Sequence, residues 1–271
     1  MLPENLGVPL QGDRDAEELR RSDFEPLDFE LDFAHTSDLP PLELGEGESQ
    51  MRLTGIADRV DGWLHEGKLY LRVVDYKTGK KTFSLQDVWY GMGLQMLLYL
   101  FALEEGGEAR YGAPVEPAGI MYIPARNTIL SLQTDDAADA AKKRADALRR
   151  SGLVCGDQTL IEAWERGEDK RFIPIKISRG KVKGGIADME ELSLIARHIR
   201  RCLGEMAQEL HRGSIEADPY YRSEEQQACK NCDFLAVCHF TDGENGESCR
   251  YLPKLSDSEA LEKMREEESH G

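Results

Sequence analysis

Apolar and polar residues alternate along two neighbouring stretches of the chain, residues 51–64 and 68–77. Successive side chains of a β-strand point to opposite faces, so this alternation predicts two strands. Between them, Glu66 and Gly67 suit the tight two-residue turn of a hairpin. We therefore predict an antiparallel hairpin at this point of the chain.

The pattern after the hairpin changes from strand to helix and back. Residues 84–104 carry apolar side chains at helical spacing, and Ser84 is a suitable N-cap. The short apolar run over 118–125 predicts a buried strand. The remaining predicted elements are a second short strand near 128–133 and helices over 135–152, 157–167 and 188–212. This order favours a mixed α/β domain over a regular series of β-α-β units.

Composition divides the chain into three predicted regions. Residues 1–50 are rich in acidic residues, proline and glycine, and are predicted to form an irregular N-terminal arm. Residues 51–225 contain the predicted strands and helices and form the core domain. Residues 226–271 combine a cysteine-rich segment with an acidic C-terminal tail.

The charge of the chain limits how it can meet nucleic acid. Its 271 residues include 51 acidic and 34 basic residues, a net charge of −17. Backbone affinity for DNA or RNA depends on lysine and arginine, so a broadly basic binding surface is disfavoured. An enzyme that uses metal ions, or one that receives nucleic acid from a partner, remains compatible with this charge.

The location of the protein is predicted from its apolar runs. No run approaches the length of a membrane span, about 20 residues. The first residues lack the basic and then apolar pattern of a secretory leader. We therefore expect a cytoplasmic protein that does not associate with a membrane.

Two aspartates and a lysine are predicted to meet at the open end of the hairpin. In the predicted register Asp58 lies opposite Asp75, and Lys77 follows on the same face. A surface ion pair is the ordinary explanation for Asp75 and Lys77 alone. A second aspartate in register favours a divalent cation, because carboxylate oxygens suit Mg²⁺ and Mn²⁺. The lysine would then activate water or stabilise charge on a phosphoryl oxygen, as phosphodiester hydrolysis requires.

Three cysteines lie close together near the C-terminus: Cys229, Cys232 and Cys238. A chain without a secretory leader is expected to keep its cysteines reduced, which favours metal binding or free thiols over disulfides. The C-x2-C spacing is a common opening of a zinc site. From the residues alone, zinc is the ordinary interpretation.

Three motifs of the chain together resemble a known nuclease family. They are "GIADRVD" (55–61), "VVDYKTGK" (73–80) and "GLQMLLY" (93–99). The combination is similar to the PD-(D/E)XK nucleases of the RecB type, and most similar to the C-terminal nuclease domain of AddB-type helicase–nuclease subunits. This resemblance implies a restriction-endonuclease-like fold, a mixed sheet flanked by helices, with a C-terminal cysteine-rich metal-binding segment.

The resemblance also implies roles for residues of the hairpin. Asp58 and Asp75 would bind Mg²⁺ or Mn²⁺, and the carbonyl of Tyr76 would be an additional metal ligand. Lys77 would be the catalytic lysine. These roles agree with the chemistry argued from the residues themselves.

A helix signature of the family, Q-x-x-x-Y, falls on Gln95 and Tyr99, which share a helix face. The resemblance implies that they contact substrate or brace the site, whereas on the residues alone they would equally be the polar edge of a packed helix. Family members also complete the metal site with a His or Glu from an upstream helix. His35 is expected in an exposed loop instead, so we expect an incomplete site with weak metal binding and impaired cleavage.

The cysteine segment acquires a second interpretation from the family. AddB-type nucleases hold a 4Fe-4S cluster through three cysteines that match Cys229, Cys232 and Cys238, together with a fourth far upstream. This chain has no cysteine before residue 155, so we expect a fragment of a longer protein. The residues that could replace the missing ligand are Cys249, Cys202, Cys155 and His239. Cys155 and Cys202 are expected to be buried free thiols, while Cys249 could reach the others through a loop.

These features predict a metal-dependent DNA exonuclease domain that processes double-strand DNA ends for recombinational repair. Its expected substrate is single-stranded DNA, delivered from a duplex end by an AddA-type helicase–nuclease subunit. A second interpretation is a free-standing RecB-type exonuclease of the CRISPR-associated kind, which the family-like stretch 172–212 disfavours. A third is a non-catalytic interaction module, stapled by a metal, in which the acidic residues are relics.

Overall fold

A mixed β-sheet is the central feature of the fold. The computed structural model of the protein describes residues 11–34, 39, 42–44, 50–79, 81–125, 148–168, 170–178, 181–244 and 246–270. Its strands are β1 (Glu25–Asp32), β2 (Leu42–Leu44), β3 (Met51–Leu53), β4 (Ile56–His65), β5 (Lys68–Lys77), β6 (Val115–Pro124), β7 (Ser151–Cys155), β8 (Ile175–Ser178), β9 (Lys181–Ala187), β10 (Tyr220–Ser223), β11 (Gln226–Gln227) and β12 (Arg250–Tyr251). Its helices are α1 (Gln11–Arg21), α2 (Leu85–Trp89), α3 (Gln95–Tyr111), α4 (Gln158–Trp164), α5 (Met189–His211), α6 (Leu235–Cys238) and α7 (Asp257–His270).

Seven of the described strands form one sheet in the order β1-β4-β5-β6-β7-β9-β8. β5 and β6 are parallel, as are β7 and β9, whereas the other neighbours are antiparallel. The predicted mixed α/β class is therefore confirmed. Smaller sheets pair β2 with β3 and place β10 between β11 and β12.

The predicted hairpin is confirmed in its register. β4 and β5 pair antiparallel, with Asp61 opposite Arg72 and Arg59 opposite Val74. Glu66 and Gly67 form the turn, and both have positive φ, 50° and 79°. Positive φ at both central residues is the property of a type I′ turn, whose twist matches that of the two strands. The turn chemistry thus sets which side chains face each other at the far end of the hairpin.

The predicted helix over 84–104 is two helices, α2 and α3. Ser84 caps α2 as predicted, since its side chain accepts a hydrogen bond from the backbone N–H of Asp87. The chain then turns at Gly91 and Gly93, whose φ values of 73° and 67° interrupt a right-handed helix. Both helices belong to the crossover that parallel strands β5 and β6 require. The break brings the loop between them to the end of the sheet.

Helices cover both faces of the sheet. Arg110 and Tyr111, at the end of α3, bind Asp28 of β1, which lies opposite Val60. Helix α3 therefore packs on the face of β4 that carries Val60 and Asp58. The opposite face contacts α1 and α4, because Arg72 pairs with Glu18 of α1 and lies over the ring of Trp164 of α4.

The prediction of an irregular arm over 1–50 is wrong for residues 11–32. Helix α1 and strand β1 occupy them, and β1 pairs with β4 as an edge strand of the main sheet. The physical reason lies in burial: Phe24 and Leu31 are in the core, and Glu18 is buried among arginines. A high content of acidic residues concealed these contacts, because their partners lie far away in the sequence.

The acidic C-terminal tail, for which no secondary structure was predicted, is helical. It forms α7, which packs against α2 and α5 through Ala260, Leu261 and Met264. These three residues lie on one helix face at spacings of one, three and four residues. The acidic residues that dominate the composition occupy the remaining faces.

Strands β7, β8 and β9 were not predicted from the sequence. Strands β7 and β9 contain glycines at points of close backbone approach; a Cβ on Gly152 of β7 would lie 2.0 Å from the carbonyl oxygen of Ile120. The predicted strand near 128–133, most of the helix over 135–152, and His35 lie outside the described residues. Within the described residues, the helices are too short or too polar to cross a lipid bilayer.

Candidate active site

Asp75 and Lys77 lie together at the end of β5. Asp75 is buried, with 6% of its surface exposed. Lys77 is the last residue of β5, and its side chain extends back to Asp75. The ammonium nitrogen Nζ of Lys77 is 3.0 Å from Oδ1 and 2.8 Å from Oδ2 of Asp75. Oδ2 is buried and, despite this proximity, accepts no well-aligned hydrogen bond from the described residues. A buried carboxylate oxygen in this state is suited to an additional cationic partner.

Asp58 lies on the neighbouring strand. Its Oδ2 accepts a hydrogen bond of 2.8 Å from the backbone N–H of Tyr76. The strand pairing ends at Arg59 and Val74, and the Asp58 carboxylate then binds the backbone of the residue between Asp75 and Lys77. The structure therefore brings together the two aspartates and the lysine that the sequence singled out.

The donor set fits a hard divalent cation. Within the described residues, no three side chains of His, Cys, Asp or Glu form a group that could hold one metal ion. A pair of carboxylates is nevertheless the ligand number that Mg²⁺ commonly takes from a protein, since it retains waters and binds substrate phosphates. Asp58 and Asp75, with the buried Oδ2, are the residues that would hold Mg²⁺ or Mn²⁺.

A small open cleft adjoins Asp75. Its lining residues are Lys81, Thr82, Phe83, Ser84, Asp87, Met92, Gly93 and Tyr122. Tyr122 lies beside Asp75 in the β5–β6 register, and burial, together with the Asp75 charge, raises the pKa of Tyr122 to about 12. The Nζ atom of Lys81 is 5.9 Å from the centre of the Tyr122 ring. Lys77 and Lys81 thus place two positive charges at one edge of an otherwise acidic protein.

Sequence reasoning missed Lys81 and Tyr122 as neighbours of the site. The sequence could not show that Tyr122 lies beside Asp75, because the two are 47 positions apart and meet only through the pairing of β5 with β6. That pairing is parallel and depends on the crossover helices, whereas the hairpin register depends on a local turn.

Gln95 and Tyr99 brace the backbone that leads into β4. The Nε2 atom of Gln95 donates to the Tyr99 hydroxyl at 3.0 Å, and the Tyr99 ring stacks on Phe33 at a centroid distance of 4.9 Å. Gly55, three residues before Asp58, packs against the same hydroxyl. Gly55 also accepts a backbone hydrogen bond from Phe33. Gln95 is exposed and Tyr99 is buried, so any contact with substrate falls to Gln95.

Replacing Gly55 by alanine is expected to destabilise the fold by about 1–3 kcal/mol, because the site has no room for a methyl group. The added Cβ would lie 2.1 Å from the Tyr99 hydroxyl oxygen and 2.9 Å from two ring carbons. The free energy of unfolding, measured with urea, tests this. Gly204→Ala is the matched control: its Cβ meets no atom within 4 Å, and alanine in helix α5 should stabilise by about 0.4–1 kcal/mol. Equal stability of the two variants would contradict the packing role of Gly55.

On the opposite face of the hairpin, charged side chains form a buried cluster that we did not predict from the sequence. Arg59, Asp61 and Arg72 project from β4 and β5, and Glu18 and Arg150 reach them from α1 and from the start of β7. All five are 4% exposed or less. The available signal was the alternation in "GIADRVD", which puts Asp58 on one face and both Arg59 and Asp61 on the other.

The cysteine segment forms a separate small unit. It comprises β10, β11, a 3-10 helix over Ala228–Asn231, α6 and β12. Its cysteines are free thiols: Cys229 is half-buried, whereas Cys232 and Cys238 are exposed. As placed, they do not form a four-thiolate ligand group with another described residue. The predicted 4Fe-4S cluster, and zinc as its alternative, therefore stay predictions.

The candidates for a fourth ligand differ in position. Cys249 precedes β12, and the proximity of Cys229 contributes to raising the pKa of its thiol, after burial and Asp242. Cys155 is buried beside Met189, as expected for a free thiol. Cys202 is half-buried and contacts His198, and burial raises its pKa to about 11. Of the three candidate cysteines, Cys249 is the one that shares the unit of the clustered cysteines. His239, the fourth candidate, lies in the same unit directly after Cys238.

Comparison with known proteins supports one family over most of the chain. The family model of the PD-(D/E)XK nuclease superfamily matches residues 8–239. The chain is similar to an ATP-dependent helicase/deoxyribonuclease subunit, of the AddB type, from Acetivibrio thermocellus, with 34% identity over 263 residues, 93% of this chain and 23% of that protein. The proteins of the same name from Ruminiclostridium cellulolyticum and Geobacillus kaustophilus are 33% and 32% identical over 92% and 93% of this chain. The chain spans less than a quarter of the length of these curated relatives.

Proposed function

Since the chain belongs to the PD-(D/E)XK nuclease superfamily, we propose that Asp58, Asp75 and Lys77 form the active site of a deoxyribonuclease that depends on Mg²⁺ or Mn²⁺. The observation that carries this proposal is the meeting of two carboxylates and one ammonium group on one face of paired strand ends. An ion pair that served only stability would not need the second aspartate. The names of the similar proteins include deoxyribonuclease, which supports DNA as the substrate.

The two aspartates would hold the cation. Asp58 is oriented by the N–H of Tyr76, and Asp75 offers the buried Oδ2. The carbonyl of Tyr76 is proposed as an additional ligand. When bound, a divalent cation supplies Lewis-acid stabilisation of the charge on a phosphoryl oxygen.

Lys77 would act on the substrate. Its side chain is 37% exposed, so its ammonium group can contact a phosphate while remaining next to Asp75. In hydrolysis a water oxygen bonds to phosphorus and releases a proton to solvent, one P–O ester bond breaks, and the leaving oxygen takes up a proton from solvent. The ammonium group would stabilise the negative charge that grows on the phosphate oxygens or hold the attacking water.

The acidic surface bears on how the substrate arrives. A protein with a net charge of −17 gains little nonspecific affinity for DNA, so the lysines at the cleft act locally. We propose that single-stranded DNA is delivered to the site from a duplex end by an AddA-type helicase–nuclease partner, for the processing of broken ends. The helicase/deoxyribonuclease names of the similar proteins support this assignment.

The proposal is tested by cleavage of single-stranded oligonucleotides labelled at either end. We expect cleavage with Mg²⁺ or Mn²⁺, none in excess EDTA, and recovery when the cation is restored, because the carboxylate pair cannot act alone. Comparison of the 5′-labelled and 3′-labelled products gives the polarity. Cleavage that persists in EDTA would contradict the metal-dependent site. Absence of cleavage with both cations would favour a non-catalytic module.

A further inference from the structure

We infer that Arg59 is a positioning residue for the metal site and acts through the side chain of Tyr76. This inference rests on the proposed function. Arg59 lies on the sheet face opposite Asp58 and Asp75, so it touches neither the cation nor the substrate. Tyr76 connects the two faces, since its backbone lies in β5 while its side chain points away from the site.

The backbone of Tyr76 holds Asp58. Its N–H donates to Asp58 Oδ2 at 2.8 Å, at the position where pairing between β4 and β5 has ended. Each strand is still held by its other neighbour here, β5 by β6 and β4 by β1, so what can vary is the separation between β4 and β5. A wider separation would draw the Asp58 carboxylate away from the Tyr76 N–H. The orientation of the Tyr76 peptide thus sets one of the two proposed metal ligands.

The phenol of Tyr76 is held from the other face. Nη1 of Arg59 donates to the Tyr76 hydroxyl at 2.6 Å, and the guanidinium carbon is 5.7 Å from the centre of the ring. The Tyr76 hydroxyl therefore accepts a hydrogen bond from a guanidinium group that is itself buried. The contact fixes both ends of Tyr76, one on each side of the sheet.

Arg59 is itself held firmly. It is 2% exposed; its Nε lies 2.8 Å from Asp61 Oδ1 and its Nη2 3.0 Å from Asp61 Oδ2. Glu18 adds a contact at 3.5 Å to Nη2. Two carboxylates, those of Asp61 and Glu18, thus face this buried guanidinium. The Nη1 atom of Arg59 instead binds the Tyr76 hydroxyl, which is uncharged, so this hydrogen bond neutralises no charge.

The contacts of Arg72 show that the hydrogen bond from Arg59 to Tyr76 is not needed to neutralise Asp61 and Glu18. Arg72 also pairs with Asp61 and Glu18, at 2.8 Å and 3.0 Å, and makes no contact with Tyr76 among those that the structure describes. Neutralising the two acids therefore does not require the Arg59–Tyr76 hydrogen bond. Its effect is on the peptide that holds Asp58.

The test removes the hydroxyl of Tyr76 and leaves Arg59 with its two acidic partners. Binding of Mn²⁺ to purified protein is measured from the electron paramagnetic resonance signal of the free ion, without DNA. Loss of a residue that orients a metal ligand commonly weakens metal binding about 10- to 100-fold. We expect Tyr76→Phe to raise the dissociation constant for Mn²⁺ within this range, and excess Mn²⁺ to restore cleavage.

Tyr111→Phe is the matched control. Tyr111 is also half-buried and also makes a hydrogen bond of 2.6 Å to a charged group, Asp28, but at the far end of α3. Both variants should lower the urea midpoint of unfolding similarly, whereas only Tyr76→Phe should change Mn²⁺ affinity. Equal Mn²⁺ affinity in the two variants would overturn the inference.

Failure of the proposed function has a different signature. If the unmodified protein binds no Mn²⁺, or if Asp75→Asn binds it as well as the unmodified protein, the carboxylate site itself is wrong and the inference fails with it. If Asp75→Asn loses the ion and Tyr76→Phe does not, the metal site stands and only the role of Arg59 is overturned.

Discussion

Replacing Lys77 by methionine is expected to lower the rate of DNA cleavage by about 100- to 1000-fold, the usual effect of removing one group that stabilises transition-state charge. Methionine keeps the length of the side chain and removes the ammonium group. The unfolding free energy should change by less than about 1 kcal/mol, because Lys77 is partly exposed and its ion pair with Asp75 is open to solvent. Initial rates at saturating Mn²⁺, together with urea unfolding, measure both effects.

Lys68→Met is the control for this variant. Lys68 lies at the other end of the same strand and pairs with Glu116 at 2.7 Å, so it has an equivalent ion pair without neighbouring aspartates. Cleavage by Lys68→Met should match that of the unmodified protein. If both variants lost cleavage rate to a similar extent, Lys77 would contribute only through its effect on the overall charge of the protein and not through a specific role at the site.

Metal binding separates the role of Lys77 from that of Asp75. The ammonium group lies within 3.0 Å of both Asp75 oxygens and competes with a cation for them. Lys77→Met should therefore bind Mn²⁺ at least as tightly as the unmodified protein, although it cleaves slowly. A variant that loses both binding and cleavage would place Lys77 among the groups that hold the metal rather than those that act on the phosphate.

Local signals were sufficient to predict the centre of the candidate site. A two-residue turn at Glu66 and Gly67 determines the pairing of the hairpin, and the alternation along β4 determines which side chains share a face. Both signals can be read in the amino-acid sequence, and together they predict that Asp58 and Asp75 lie side by side. Their proposed roles in catalysis rest on the chemistry of carboxylates and on the family resemblance, and the match of the superfamily model supports that resemblance.

Features that depend on distant partners could not be predicted. Glu18 looks like one more acidic residue in an acidic segment, and its burial depends on three arginines more than 40 positions away. The helix over 84–104 looked continuous because its apolar residues keep helical spacing, while the break arises from Gly91 and Gly93. The cysteines had a recognisable spacing, but spacing alone does not bring a fourth ligand to them.

Replacing Glu18 by alanine is expected to destabilise the fold by about 3–5 kcal/mol, the usual cost of removing one member of a buried ion pair. Glu18 is 2% exposed and lies 3.0 Å from Arg72 and 3.5 Å from Arg59, and it also contacts Arg150. Its loss would leave three buried guanidinium groups with fewer carboxylates. The free energy of unfolding in urea, followed by circular dichroism, measures the effect.

Glu17→Ala provides the comparison, because the same substitution in the same helix cancels the difference in helix propensity. Glu17 is 42% exposed and pairs with Arg171 at 2.8 Å, so its loss should cost only about 0–1 kcal/mol. A difference of several kcal/mol between the variants would show that α1 is held in the core by Glu18 and belongs to the same cooperative unit as β4 and β5. Equal stability would mean that water reaches the arginine cluster when Glu18 is removed. In that case the first helix would contribute little to the rigidity that Arg59 needs in order to hold Tyr76.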